Sequence, residues 1–458
     1  MRSGDGGWWW ASLGGLRPVR PPLERPTEAD VAIVGAGYTG LWTAYYLARA
    51  RPHLRIVVLE REAAGFGASG RNGGWVSGFF SGPARVYERR GGAAGLAALQ
   101  RAMFDTVEEV AAVLAAEDID ADLVKGGALS VALDGAQQAR LAKHLRDARS
   151  HGLSPEDLRG LDAGELAGRL SLAGARGASF SPHVARVHPA KLLRGLASAV
   201  ERLGVTIHER TPVTSIVAGA ARTPAGAVRA RWVVRATEGY TAGLPGLRRL
   251  LAPVNSSMII TEPLAPALWE EIGWAGQEVL SDEAHVYVYL QRTADGRIAI
   301  GGRGVPYRFG SRTDVDGETA ASTIRALREK LAAMFPAVAA VGIEHAWSGV
   351  LGVPRDWSIT AAADPLSGLA WAGGYAGEGV AAANLAGRTL RDLILGEPSP
   401  LAGLPWVGRS PRRWEPEPLR WAAICGVYAL YRHADRIEAR SGRPSRLGTL
   451  ADALSGRA

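Results

Sequence analysis

Residues 29–62 read ADVAIVGAGYTGLWTAYYLARARPHLRIVVLERE. Val31 to Val34 is a short apolar run of the kind used by a buried parallel strand. Gly35, Gly37 and Gly40 follow as G-x-G-x-x-G, and Leu41, Ala44, Tyr45 and Leu47 then recur at helical spacing. Leu54 to Leu59 predicts a second strand that ends at Glu60. Each position has a physical reason. Gly35 permits a tight turn, Gly37 lets backbone approach a pyrophosphate, and Gly40 lets helix and strand pack closely. The helix opens at Tyr38 and Thr39, where free N–H groups and a positive dipole end suit a phosphate. Glu60, 25 residues after Gly35 and followed by Arg61, is placed to accept hydrogen bonds from ribose hydroxyls. A complete strand–helix–strand with a terminal acid predicts a bound dinucleotide.

An NAD-binding unit normally continues into further strand–helix–strand units. This chain runs instead into GASGRNGGWVSG, residues 67–78, with five glycines in twelve positions. So permissive a backbone suits a ligand that lies along main chain, and a flavin fits. Ser69, Gly70, Arg71, Asn72, Gly73 and Gly74 are the predicted contacts. For Arg71 three roles stand open: neutralising phosphate, touching the isoalloxazine, or bracing the loop.

Composition excludes several classes. The 458 residues, 47% hydrophobic and 21% charged, describe a globular chain of two or three domains. The net charge of +8 comes from arginines scattered among Ala and Gly, not from a nucleic-acid-binding stripe. Cys425 is the single cysteine, which excludes an intramolecular disulfide and fits a reducing compartment. No apolar run is long enough to span a bilayer, and MRSGDGGWWWASLGG lacks the basic start and long apolar stretch of a secretory signal. A cytoplasmic location is expected, and no metal site.

Further along, Pro189 opens a helix whose stripe is Leu192, Leu193, Leu196, Val200 and Leu203, stopped by Gly204. EAHVYVYLQRTADGRIAIGGRG, residues 283–304, reads as two alternating strands around an Asp295-Gly296 turn, with Tyr287 and Tyr289 on one face. A helical stripe of Phe104, Val107, Val110, Val113 and Leu114 and a strand GALSVAL form an earlier insertion. Trp8, Trp9 and Trp10 lead into the proline-rich RPVRPPLERP, an extended arm expected to dock on the body or to self-associate. The tail EPLRWAAICGVYALYRHADRIEAR predicts a helix docked on its own domain or on a second subunit.

Four stretches in order, VAIVGAGYTGLWTAYYLA, LEREAAGFGASGRNGG, VHPAKLLRGLASAVERLGVTIHERTPVTSI and WAGGYAGEGVAAANLAGRTLRDLI, frame residues 29–396. With them the chain resembles the FAD-dependent amine and amino-acid oxidoreductases, the family of D-amino-acid oxidase, glycine oxidase and sarcosine oxidase. Its GFGASGRNGG form is similar to the γ-glutamylputrescine oxidase-like branch. The resemblance implies an α/β fold: a Rossmann-like FAD-binding domain of discontinuous segments (27–92, 180–250 and 340–396) with an α+β antiparallel-sheet substrate domain (93–179 and 251–339). Residues 1–26 are then an N-terminal arm and 397–458 a C-terminal helical extension. It implies that Val213 meets the adenine through main chain, and that Gly374, Tyr375, Gly377, Gly379 and Val380 bring a helix N-terminus to the flavin pyrimidine edge. Tyr289, Arg303, Trp347 and Arg355 become the candidate substrate and catalytic residues, an aromatic wall for an amine and a fixed cation for a carboxylate.

The implied reaction oxidises a C–N bond of a small-molecule amine or amino acid to an imine that water hydrolyses, with hydride passing to flavin N5. Residues 348–356 hold no Cys and 63–78 no His, so the FAD is expected to be non-covalent. The hairpin region offers Arg303, Arg308 and Arg312 but no Lys, which leaves O2 (giving H2O2) and another electron acceptor both open. A flavoprotein monooxygenase and a non-catalytic flavin-binding redox or assembly factor are the alternatives.

Overall fold

The apolar run before Gly35 is the end of strand β1 (Thr27–Val34), followed by α1 (Tyr38–Ala50) and β2 (Ile56–Leu59) in a computed structural model that describes residues 1–4, 6–313 and 316–456. Helix α2 (Pro189–Arg202) begins on a proline, where the missing N–H costs nothing, and the His188 ring caps it by accepting the Lys191 N–H at 3.3 Å. Its stripe Leu192, Leu193, Leu196 and Val200 is buried, and the helix packs on α1. Strands β3 (Thr206–His208) and β4 (Gly226–Arg235) complete a parallel array in the order β4-β1-β2-β3 within an eight-stranded sheet. Strand order reverses at β1, with β2 on one side and β4 on the other. That reversal opens a crevice at the carboxyl ends of the strands, where ligands of such sheets bind.

A second, nine-stranded and mostly antiparallel sheet stands beside it. Its centre is β5 (Ala252–Thr261), β6 (Tyr289–Arg292), β7 (Ile298–Gly302) and β8 (Ile343–Val353). Strands β6 and β7 form the hairpin read from the sequence, with Tyr289 opposite Gly301 and Gly296 at φ +75° in the turn. The first strand is shorter than its alternation suggested, and Tyr287 precedes it. Residues 343–353 pair with β5 from end to end, so this part of the segment 340–396 lies in the large sheet and not with the nucleotide unit. Residues 360–364 and 369–373 return to the parallel sheet beside β4.

Helix α3 (Gly379–Leu395) crosses α1 closely, its Gly387 lying against the Trp42 backbone. Helix α4 (Leu419–Ser441) docks on the chain's own body: Asp435 accepts the His285 and Val286 N–H groups at 2.8 and 3.0 Å. The N-terminal arm docks as well. It is not wholly extended: residues 2–3 add a parallel strand beside β8, and Trp8–Ala11 is a helical turn. All three indoles are buried.

Candidate cofactor and substrate site

The crevice at the ends of β1, β2 and β4 is a cleft of about 1310 Å3 including its open mouth. Of the predicted cofactor residues, Gly35, Gly37, Tyr38, Thr39, Glu60, Arg61, Ser69, Asn72, Val213, Tyr375, Gly377, Gly379 and Val380 line it. Gly35 has φ +107°, and a Cβ at Gly40 would sit 1.9 Å from the Gly35 carbonyl oxygen. Turn and close approach both demand glycine. The Ser69 hydroxyl accepts the first N–H of α1, from Tyr38, at 3.0 Å, and so folds the glycine-rich loop onto the helix N-terminus. Glu60 accepts the N–H of Ala36 at 2.9 Å and of Glu62 at 3.0 Å, which fixes its carboxylate in the wall; burial raises its pKa.

Gly40, Gly70, Arg71, Gly73, Gly74 and Gly374 are not among the lining residues. Asn72 Nδ2 donates to the Ser69 carbonyl at 2.6 Å and its Oδ1 accepts the Gly74 N–H at 2.7 Å, so this side chain ties the loop to itself. The Arg71 guanidinium packs 4.5 Å over the Phe66 ring and donates to the Ser348 carbonyl on β8. Two indoles hold consecutive loop carbonyls from below. Trp347 donates to Arg71 O at 2.9 Å and Trp9 to Asn72 O at 2.8 Å, the rings meeting edge to face 6.0 Å apart. Trp347, placed in the substrate pocket by the sequence reading, is fully buried and spends its only polar group on the loop. It acts on the site through the loop.

Sequence reasoning missed Phe66, Thr237, Glu238 and Tyr240, all of which line the cleft. The last three follow β4 in VVRATEGY. Their signal is a strand carboxyl end, which becomes meaningful only once β4 is known to lie beside β1.

On the large-sheet side, Tyr289 sits where the loop and the hairpin meet. Its ring passes 2.8 Å from where a Cβ of Gly73 would stand, and its hydroxyl is hydrogen-bonded to Ser256 Oγ at 2.9 Å. Arg303 follows β7. Its Nη2 donates to the Ala376 carbonyl at 3.4 Å, in the turn leading to α3, while its Nη1 is buried and makes no well-formed hydrogen bond. Burial works against its charge, but Tyr428, Tyr287 and Tyr289 around it more than offset this and leave its pKa raised. Tyr428, from α4, brings its buried hydroxyl against this guanidinium without forming a well-shaped hydrogen bond.

Arg355 is not part of this group. It pairs with Glu415 at 3.1 Å, lies 5.3 Å from the Trp414 ring and donates to the Ser455 carbonyl. A carboxylate clamp needs an uncommitted guanidinium, and this one is committed to the C-terminal extension. The acids of that extension are similarly engaged. His285, Asp435 and Glu438 converge, but the Arg140 guanidinium sits among them, 2.6 Å from Glu438 and 2.8 Å from the His285 ring.

The model of the family described as FAD dependent oxidoreductase matches residues 30–393. The chain belongs to that family. It is 31% identical over 385 residues to gamma-glutamylputrescine oxidoreductase of Escherichia coli, covering 82% of this chain and 85% of that one. Glycine oxidase of Geobacillus kaustophilus is 25% identical over 373 residues, covering 80% and 92%. The crystal structure of that glycine oxidase shares the fold, with TM-score 0.67, 23% identity and coverage of 81% and 96%. The enzyme is therefore an FAD-dependent oxidoreductase, and the cleft fits its cofactor: glycine backbone and a helix N-terminus for the diphosphate, Glu60 for ribose hydroxyls. Among the described residues no helix is long and apolar enough to cross a membrane.

Proposed function

We propose that this oxidoreductase acts on an amino acid, or an amine that also carries a carboxylate, and converts its C–N bond to an imine that water hydrolyses. The observation that carries the reading is Arg303: a guanidinium at the edge of the cofactor cleft whose Nη1 is buried with no well-formed hydrogen bond and only the Tyr428 hydroxyl close to the guanidinium. Buried donors of that kind are costly unless something accepts from them, and a carboxylate is the acceptor that matches a guanidinium best. Tyr428 Oη, close to the guanidinium, supplies a second donor from the C-terminal extension. Tyr289, held by Ser256 and edged by Trp75 with ring centroids 6.3 Å apart, provides an apolar wall for the carbon chain. Non-covalent FAD supplies the two-electron acceptor, with O2 proposed as the final one. The protein's part is to fix the substrate by its carboxylate and to exclude water, so that the C–H beside nitrogen is presented in one orientation.

Anaerobic mixing of the holoenzyme with glycine derivatives, N-methyl amino acids, D- and L-amino acids, γ-glutamyl amines and simple polyamines tests this. Flavin absorbance should bleach with carboxylated amines and not with polyamines that lack a carboxylate. Bleaching by no amine at all overturns the reading, and bleaching by polyamines alone overturns the role of Arg303. Peroxide released in air identifies O2 as the acceptor.

A further inference from the structure

Glu238 stands just beyond β4 in the wall of the cofactor cleft, with a left-handed backbone at φ +39°. Glycine, asparagine and aspartate adopt that region readily, and a glutamate does so at a cost. What its side chain does there must offset the cost. Its Oε1 accepts the Tyr375 N–H at 3.0 Å, which links the end of β4 to the turn before α3. Its Oε2 is buried and makes no well-formed hydrogen bond, with the backbone N–H groups of Gly352 and Gly374 close to the carboxylate. Strand β8 makes room for it at Gly352, where a Cβ would lie 1.9 Å from Oε2. The titratable groups that face it are Arg235 on β4 and Tyr375 on the turn; Gly352 and Gly374 present only backbone N–H. An ionised carboxylate with one oxygen so weakly supported in such a wall bears a desolvation penalty, whereas a carboxylic acid can itself donate. A flavin dinucleotide brings diphosphate and carbonyl oxygens, which are acceptors, together with negative charge.

We propose that Glu238 enters the cofactor complex as a neutral acid whose Oε2–H donates to an acceptor oxygen of the FAD, so that retention of the cofactor is linked to a proton. This rests on the family's cofactor and not on the choice of substrate. Burial is the largest influence on the group and raises its pKa to about 7, against the lowering effect of the Tyr375, Gly352 and Gly374 N–H groups and of Arg235. Bound FAD holds the proton more firmly still. The sign follows from linkage: a group more protonated in the complex than in the apoprotein favours the complex fully below the apoprotein pKa, and the advantage is lost as pH rises from there through the higher pKa of the complex.

Titration of apoprotein with FAD, followed by the quenching of free-FAD fluorescence, reads this without any turnover. The Kd should rise about tenfold or more between roughly pH 6 and pH 9. In Glu238→Gln, whose amide donates at every pH, the Kd should stay flat and near the low-pH value of the wild type. A wild-type Kd that is flat, or that falls as pH rises because an ionised Glu238 accepts from a cofactor hydroxyl, overturns the proposal. So does a Glu238→Gln protein with the wild-type slope. Should that variant fail to fold, the wild-type curve alone still decides, and an apoprotein that binds FAD at no pH overturns the cofactor assignment along with it.

Discussion

The cofactor cleft and the substrate pocket beside it are built on opposite plans. The cleft is mostly main chain: Gly35, Gly37, the open N-terminus of α1 and a loop tied to itself by Asn72. Its parts come in short contiguous runs, because a backbone cradle must be continuous. The pocket is made of side chains that meet from remote segments: Tyr289 and Arg303 from one hairpin, Tyr428 from the C-terminal extension. Two arginines show what that means. Arg303 and Arg355 look alike in sequence, both near aromatic residues in segments leading toward the cofactor. One keeps a buried N–H with no carboxylate and only a tyrosine hydroxyl close to the guanidinium, while the other is neutralised by Glu415. Their neighbours, not their own identity, separate ligand-binding from structural duty.

The two plans touch at the indoles beneath the loop. Trp9→Ala removes a fully buried ring and the donor to Asn72 O. It should cost about 3–5 kcal/mol of stability, seen in thermal or denaturant unfolding, and should weaken FAD binding because the loop loses its floor. An unaffected FAD Kd would mean that the cradle stands without its side-chain support. Next in size, Arg303→Ala should lower kcat/KM for a carboxylated amine about a hundredfold, roughly 3 kcal/mol of transition-state binding, with FAD content unchanged. Steady-state kinetics beside the flavin absorbance ratio checks both halves. Smallest is Arg355→Ala, which should lose about 1 kcal/mol by cutting a partly buried ion pair and its ring contact. Its kcat/KM should match the wild type, and a large kinetic loss would return Arg355 to the site.

How much of this was legible depends on which chemistry each part uses. The strand–turn–helix at Thr27–Ala50 and the glycine-rich loop could be read residue by residue, since a tight turn, a close approach and a phosphate-binding helix end each require a specific residue at a specific spacing. The Asp295-Gly296 hairpin was readable for the same local reason. The placement of residues 343–353 was not: an apolar run fits the centre of either sheet, and its pairing with Ala252–Thr261 spans about ninety residues of chain. Glu238 was hidden because nothing in ATEGY distinguishes a cleft wall from a surface turn.

The sequence by itself determined that this chain binds a flavin dinucleotide, because backbone recognition is written in contiguous glycines. Only the tertiary structure decided which charged and aromatic side chains face that cofactor. A side chain's role is set by the dielectric and the partners around it, and these come from packing across the chain: Tyr428 beside Arg303, Glu415 against Arg355, and Gly352 of β8 against Glu238.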